Sequence, residues 1–286
     1  CALPPAGNAS ATVVAMSEFD SARALAGHFD YVAETGSTNT DLIAAAANLP
    51  DFAVRVAGFQ NAGRGRSGRQ WLAPAGSSLF VSVLLRPRPA MQPDAYGWLP
   101  LIAGLAMRNA VAELAAASGR ELQVAVKWPN DVLIAEADAA EFGGHRKVSG
   151  VLSELLPDLS GVVIGAGLNL TQTAEQLPIE SATSLARNGV AVDRETALAA
   201  YLNQLKGLYG VFVAAGGDAV ASGLRDQIAA NCASVGRRVR TILPGDVERL
   251  GAAKGIDSQG RLIVLFDGDS APTAVAAGDI VHLRHN

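Results

Sequence analysis

The ten residues Gln60-Asn61-Ala62-Gly63-Arg64-Gly65-Arg66-Ser67-Gly68-Arg69 are the most unusual stretch of this chain. Gly63, Gly65 and Gly68 remove side-chain obstruction and permit positive φ, so successive backbone N–H groups can converge on an anion. Arg64, Arg66 and Arg69 add planar guanidinium forks suited to phosphate or carboxylate oxygens. Taken alone, the stretch fits a dinucleotide-binding turn, an Arg/Gly-rich nucleic-acid segment, a flexible surface loop or an anion-binding catalytic loop. Gly63-x-Gly65-x-x-Gly68 formally matches the dinucleotide fingerprint. However, Arg69-Gln70-Trp71-Leu72-Ala73-Pro74 is a poor helix start, and no acidic residue follows about 20 positions on. Nucleic-acid segments of this composition are usually longer and disordered.

Two later stretches add the chemistry the loop lacks. Lys127-Trp128-Pro129-Asn130-Asp131 ends one strand pattern, and Lys147-Val148-Ser149-Gly150-Val151-Leu152 opens another. Together they offer two lysines for negative charge, a carboxylate able to steer a nucleophilic amine or a metal, and a hydrogen-bonding amide. Singly, Pro129-Asn130-Asp131 also reads as an ordinary turn and Lys147 as a solvated strand-start cation. Combined with the arginine loop they favour an anion-binding catalytic site. His28, His145, His282 and His285 are scattered without ligand spacing, so zinc and serine-hydrolase chemistries find no support. No acidic cluster announces a metal, and no protein ligands to one are assigned.

The chain as a whole is acidic, with a formal net charge of −4 over 286 residues. Bulk nucleic acid and anionic membranes select a basic surface, so neither DNA nor a membrane is an expected partner. Apolar residues make up 49% and charged residues 17%, which allows a sizeable core and excludes global disorder. Two cysteines, Cys1 and Cys232, are too few for a disulfide framework and fit a reducing, cytoplasmic location. The apolar segments read as too short and broken for a membrane span, and no signal peptide is visible.

Residues 1–30, rich in Ala, Ser and Pro, read as a poorly structured arm. With Arg23 as its only basic residue, this arm is no DNA-binding helix-turn-helix. Thr38 followed by Asp41 resembles a capping box opening an amphipathic helix. Strands are expected at 52–59 and 79–85, and a helix from Pro93-Asp94 to Ser118-Gly119. Three strands then follow closely, at 122–127, 148–155 and 161–165, without room for crossover helices; this favours an antiparallel or mixed sheet. A helix over 195–215 and a shorter one ending near Ala230 complete a first unit, 31–232. From 233 to 286 the spacing of short strands and turns predicts a small all-β barrel.

Thr35-Gly36-Ser37-Thr38-Asn39, Gln60 through Arg69, Lys127 through Asp131, Lys147 through Leu152 and Gly165-Ala166-Gly167-Leu168-Asn169 occur in the order seen in biotin–protein ligases. The chain resembles the monofunctional members, without an N-terminal DNA-binding domain, over about residues 31–286. The resemblance implies an α+β fold: a mixed sheet flanked by helices, related to class II synthetases, followed by an SH3-like β-barrel. It implies ATP, Mg²⁺ and biotin as ligands, biotinyl-adenylate as intermediate, and a biotin carboxyl carrier protein domain of a biotin-dependent carboxylase as partner.

By motif, Ser37, Thr38, Asn39 and Gln60 resemble the group that holds the ureido ring of biotin. Gly63, Arg64, Gly65 and Arg66 resemble the loop that folds over its carboxylate and the α-phosphate, with Gly150 beside it. Lys147 resembles the lysine at the activated acyl-phosphate, and Asp131 the carboxylate that positions the acceptor lysine; with Arg66 these are the implied catalytic residues. Trp71 resembles an aromatic packed over the adenylate. Lys127, Asn130 and Asn169 resemble nucleotide-side ligands, and Arg69 one that reaches the departing pyrophosphate. One departure stands out: Asp131 and Lys147 are sixteen positions apart, and the acidic, Gly-ended connection between them is expected to be a solvent-exposed insertion. A lipoate– or octanoyl–protein ligase is the nearest alternative, and a non-catalytic adenylate- or RNA-binding regulator a more distant one.

Overall fold

The computed structural model describes residues 19–140 and 143–283. A helix α1 (Asp20–Leu25) leads into β1 (His28–Thr35), α2 (Thr38–Ala45), β2 (Ala53–Gln60) and β3 (Ser78–Leu85). The long helix α3 (Leu99–Ala117) is followed by β4 (Val124–Lys127), β5 (Asp131–Ala135), β6 (His145–Leu155) and β7 (Val162–Asn169). Helices α4 (Arg194–Ala214) and α5 (Leu224–Ala230) close this first part. The expected arm lies outside the described residues up to 18; its described remainder is ordered. Phe19 there is fully buried, packed against Phe29 and Tyr31. The Ala/Ser-rich composition hid this, because a single aromatic anchor does the packing.

The seven strands form one mixed sheet in the order β1-β2-β3-β7-β6-β5-β4. β1 and β2 are parallel and every other pair is antiparallel. Side chains alternate between faces. Val54, Val56, Val81, Val83 and Ile164 point to the face covered by α3 and α4, while Ala53, Leu84 and Val163 meet Leu42 and Ala46 of α2 on the other. β3 is buried along its whole length because both faces are covered. The α2 face carries, farther along the same strands, Ser82, Gly165, Gly167 and Asn169. By composition and length, α3 with the turn before it could cross a membrane, contrary to the sequence expectation, but most of it is buried in this core.

Asp131–Ala135 forms a strand the sequence reading missed, so the Asp131–Lys147 separation is mostly hairpin arm. β5 pairs with β6 with one irregularity: Asp131 faces Gly150, Val132 faces Ser149, and Leu133 faces Lys147. One step on β5 thus matches two on β6, leaving Val148 as an extra residue. Such a bulge reverses the alternation of its strand. Val148 goes into the core, and Lys147 comes onto the same face as Asp131 and Gly150. Among the described residues of the connection, Ala137, Asp138 and Ala140 are exposed as expected, while Ala139 is buried, Arg146 pairs with Glu136 and Asp138, and Gly143 offers its carbonyl to Arg237.

Strands β8 (Arg238–Leu243), β9 (Val247–Ile256), β10 (Leu262–Phe266), β11 (Thr273–Val275) and β12 (Asp279–His282) make a five-stranded antiparallel sheet in the order β11-β10-β9-β8-β12. Val239, Ala253, Leu262, Val264, Phe266 and Ile280 fill its interior. The turn between β9 and β10 joins the two sheets. Trp128 Nε1 donates to the Gly260 carbonyl at 2.9 Å, and Trp98 Nε1 donates to the Ser258 carbonyl at 3.3 Å. Trp128→Phe, which keeps most of the volume but strands that carbonyl, is expected to cost about 1–2 kcal/mol. Trp128→Ala should cost about 3–5 kcal/mol, because a cavity is added to the lost bond. Urea unfolding followed by far-UV circular dichroism measures both.

Candidate active site

The floor of the main cavity is built by what is missing from β6 and β7. Gly165, Gly167 and Asn169 succeed one another on the α2 face of β7, with Gly165 opposite Leu152 and Gly167 opposite Gly150 of β6. A Cβ on Gly165 would lie 2.3 Å from Asn39 Oδ1, and one on Gly167 would lie 2.5 Å from Trp71 Cε2. A Cβ on Gly150 would meet Lys147 Nζ at 2.8 Å and Trp71 Cζ3 at 2.9 Å. Asn39, Trp71 and Lys147 therefore rest directly on the sheet, in that order. At about 3.4 Å per residue, Gly165 to Asn169 spans roughly 14 Å, enough for an elongated ligand. The cavity encloses about 420 Å³.

One end is a buried, neutral polar pocket. Ser37 precedes the first turn of α2, and Thr38 is its first residue. The expected capping box is absent: Thr35 Oγ1 and Arg55 take Asp41, while the Thr38 N–H and hydroxyl both donate to Gln60 Oε1, at 2.8 and 3.0 Å. Asn39 accepts from Ser82 Oγ at 2.6 Å and donates to Glu154 Oε2 at 2.7 Å. Ser37, Thr38, Asn39 and Gln60 are all buried. Fixed side-chain dipoles without net charge suit a neutral ligand head carrying both donors and acceptors.

The other end is charged. Lys127 and Asp131 face each other across β4 and β5, and Lys147 Nζ lies 2.6 Å from Asp131 Oδ1. Burial raises the Asp131 carboxyl, but the Lys147 and Lys127 charges outweigh it and hold the group below the ordinary carboxylate range. Burial lowers the Lys127 ammonium, against the attraction of Asp131. Burial likewise lowers Arg66, with Asp279 and Asp131 opposing. Two lysines thus share one carboxylate, leaving excess positive charge at a desolvated site, as an anion requires. Lys147 also lies 5.2 Å from the centre of the Trp71 ring, and Trp71 Nε1 is buried without a partner.

Of the residues singled out from sequence, Ser37, Thr38, Asn39, Gln60, Arg64, Gly65, Arg66, Arg69, Trp71, Lys127, Asn130, Asp131, Lys147, Gly150 and Asn169 all line this one cavity. Gly63 does not. Its carbonyl accepts from the Trp71 N–H at 2.9 Å, and a Cβ there would lie 2.4 Å from the Trp71 carbonyl oxygen, so it shapes the loop from behind. Asn130 and Asn169 are held by the protein itself. The Asn130 amide donates to the Val151 carbonyl, and the Asn169 amide donates to the Thr183 carbonyl and accepts from Gln172. Among the described residues no group of three His, Cys, Asp or Glu side chains could hold a metal ion.

Sequence reasoning missed Glu154, which joins Asn39 to Arg64 by accepting from both. It also missed His145 and His282, brought to the cavity wall from different sheets. No spacing signal could have paired them, since tertiary packing alone makes them neighbours. A third omission is the segment Pro178–Ala182. It lines the cavity through backbone bonds between Lys147 and residues Ser181 and Thr183.

A mixed sheet carrying a cavity with one neutral polar end and one cationic end, walled by a small antiparallel sheet, defines an α+β fold with room for an elongated ligand that has a polar head and an anionic end. The sequence profile of the biotin/lipoate A/B protein ligase family matches residues 32–169, and that of the biotin protein ligase C-terminal domain matches residues 235–283. A biotin–[acetyl-CoA-carboxylase] ligase of Mycobacterium tuberculosis is 40% identical over 258 residues, 89% of this chain and 89% of that protein. The bifunctional ligase/repressor BirA of Escherichia coli is 32% identical over 241 residues, 82% of this chain and 68% of that protein. The solved biotin protein ligase from Aquifex aeolicus, in complex with biotin and ATP, matches with a TM-score of 0.70 and 26% identity, covering 90% of this chain and 99% of that one. The chain belongs to the biotin/lipoate A/B protein ligase family.

Two outcomes follow from the geometry. Gly167→Ala must lift the Trp71 indole from the sheet, which should shift its fluorescence to longer wavelength; an unchanged spectrum relative to wild type, with Trp71→Phe as reference, would show that the indole is not seated there. The second concerns His282, whose ring lies 3.0 Å from Ser234 Oγ and which burial, then Lys127 and Arg237, push down to about 3. Between that value and the ordinary pKa of about 6.5, the unfolded chain binds a proton that the folded one does not, so stability falls as pH falls through this window. From pH 7 to pH 5 the loss should be about 2 kcal/mol from this group, and His282→Gln should remove most of it in urea unfolding at the two pH values.

Proposed function

We propose that this protein is a biotin–protein ligase that activates biotin with ATP to biotinyl-5′-AMP and transfers the biotinyl group to a lysine of a biotin carboxyl carrier protein. The observation that carries this is the 420 Å³ cavity that sets the Thr38–Gln60 and Ser82–Asn39 hydrogen bonds and the Lys147–Asp131–Lys127 cluster along one glycine floor. The bicyclic ureido head of biotin has donors and acceptors matched by the first; its carboxylate, joined to the α-phosphate, is matched by the second. Leaving one buried donor or acceptor unmatched would cost about 1–3 kcal/mol, which gives the polar end its selectivity.

In the first step a biotin carboxylate oxygen attacks the α-phosphorus of ATP and pyrophosphate leaves. Arg66 and Lys147 stabilise the charge on the α-phosphoryl oxygens, and Arg69, by resemblance, receives the leaving group. Mg²⁺ would neutralise phosphate charge; among the described residues no group of three His, Cys, Asp or Glu side chains could hold it, so phosphate oxygens are its expected ligands. In the second step the neutral amine of the acceptor lysine attacks the anhydride carbonyl, the acyl C–O bond to the phosphate breaks, AMP leaves, and the proton lost by the amine passes to solvent. Asp131 holds and orients that amine. Water must be kept out between the steps, and the Gly/Arg loop covers the cavity for this purpose.

Incubation with ATP, Mg²⁺, biotin and a carrier domain should add one biotinyl mass, dependent on ATP; lipoic acid in place of biotin should add nothing, and the reverse result would move the protein to the lipoate branch. Lys147→Ala should lower turnover roughly 10²–10³-fold with the circular dichroism spectrum unchanged, and near-normal turnover would take Lys147 out of the chemistry. Arg66→Gly should still form adenylate but lose it roughly tenfold faster, measured as labelled biotin retained on a filter.

A further inference from the structure

One charged group at the neutral end of the cavity has no part in the mechanism. Glu154 follows Gly150 and Leu152 at alternate positions of β6, so all three lie on the α2 face. Its Oε2 accepts from Asn39 Nδ2 at 2.7 Å, and the Leu152 carbonyl accepts from the same nitrogen at 3.3 Å. A carboxylate and a carbonyl only accept, so both amide hydrogens of Asn39 are drawn towards β6. Asn39 Oδ1 is thereby turned onto the glycine floor, where a Cβ at Gly165 would lie 2.3 Å away.

That orientation propagates through two hydroxyl groups with one hydrogen each. Ser82 Oγ lies 2.6 Å from Asn39 Oδ1 and 2.8 Å from Thr38 Oγ1. Because Asn39 Oδ1 only accepts, the Ser82 hydrogen goes there, and the contact with Thr38 is made by the Thr38 hydrogen. Gln60 Oε1, 3.0 Å from Thr38 Oγ1, shares that same hydrogen and takes the Thr38 N–H at 2.8 Å. The polar hydrogens of Asn39, Ser82 and Thr38 are thus committed within the protein. All three residues and Gln60 are buried, so water does not reorder them. What Asn39 and Thr38 turn to the cavity they line is oxygen lone pairs.

From this we infer that Glu154 is a positioning residue that sets the donor–acceptor polarity of the neutral pocket. It makes Asn39 Oδ1 and Thr38 Oγ1 acceptors, so the ligand head that fits them brings N–H donors to both. Without an acceptor at position 154, the Asn39 amide is held only by the longer Leu152 contact and is free to turn an N–H to the ligand. Arg64 also donates to Glu154, at 2.8 Å, but stands outside this chain of hydrogen bonds. That the N–H donors are those of the biotin ureido ring rests on the ligase activity proposed above; the count of hydrogens does not.

Nuclear magnetic resonance of the full, ligand-free chain labelled with ¹⁵N-asparagine tests the polarity without requiring that activity. The Asn39 side-chain amide, identified by its loss in Asn39→Asp, should exchange its hydrogens with water slowly. Glu154→Leu should speed that exchange several-fold, and Glu154→Gln, whose Oε1 still accepts, should return it towards the wild-type rate. Arg64→Met, which keeps the Asn39–Glu154 bond, should leave it unchanged. Equal exchange in Glu154→Leu and wild type overturns the inference, as does equal acceleration by Arg64→Met. In calorimetric titration, wild type should bind biotin roughly 10–100-fold more tightly than either cyclic carbamate in which a ring oxygen replaces one ureido N–H, because oxygen would then face oxygen. Glu154→Leu should shrink that preference to a few-fold, and Glu154→Gln should keep it. Equal loss of affinity for biotin and carbamate in Glu154→Leu would mean a merely structural role and refute the assignment, as would a wild type with no preference. A wild-type protein that does not bind biotin would count against the ligase activity alone, because amide exchange still decides the polarity.

Discussion

The cavity depends on one irregularity in strand pairing, the extra residue at Val148 in β6. Without it, strict alternation would put Lys147 on the helix-covered face and Val148 on the floor. An ammonium would then be buried among Val132, Ile134 and Val151, where an unpaired charge is prohibitively costly. With it, the cation meets Asp131 from the neighbouring strand while Val148 fills the core. The two demands, a continuous apolar face and a charged floor, are met by the same extra residue.

Glycine provides the complementary constraint. Gly150, Gly165 and Gly167 occupy adjacent positions on β6 and β7, at the centre of the sheet, where side chains would ordinarily fill the surface. Their absence lets Asn39, Trp71 and Lys147 approach the backbone. A central strand interrupted by glycine loses packing, and here the neighbouring strands compensate: β3 is buried throughout, and β7 is paired along its length on both sides. The weakest-looking part of the pattern is thus held by its most apolar part.

The charges are arranged against the character of the whole chain. The protein is acidic overall, yet Lys127, Lys147, Arg66 and Arg69 line one cavity, where Lys147 pairs with Asp131 and Arg69 with Asp279. Each carboxylate neutralises part of the cation cluster in the absence of a phosphate, which keeps the empty cavity tolerable without giving up its affinity for an anion. The small sheet takes part directly. The turn after β9 receives the indole N–H groups of Trp98 and Trp128, and β12 brings Val281 and His282 to the cavity and Asp279 to Arg69.

The loop from Gln60 to Arg69, the lysine and asparagine motifs, and the barrel-like spacing of the last fifty or so residues were legible in the sequence because each depends on local composition: glycine for freedom, arginine for forks, short alternating runs for strands. The strand at Asp131–Ala135 was not, because its apolar run Val132-Leu133-Ile134 is short and follows directly on the turn residues Pro129-Asn130-Asp131. The fold of residues 19–30 was hidden for a related reason, since Phe19 has no local pattern around it and is ordered by partners on β1. What the sequence determined by itself is which residues could do chemistry and in what order they occur. Only the tertiary structure decided that the bulge turns Lys147 towards Asp131, that Glu154 and Asp279 pair with loop arginines from two sheets, and that two distant histidines share a wall. Those are contacts between elements far apart in the chain, set by pairing register and core packing, which no local spacing encodes.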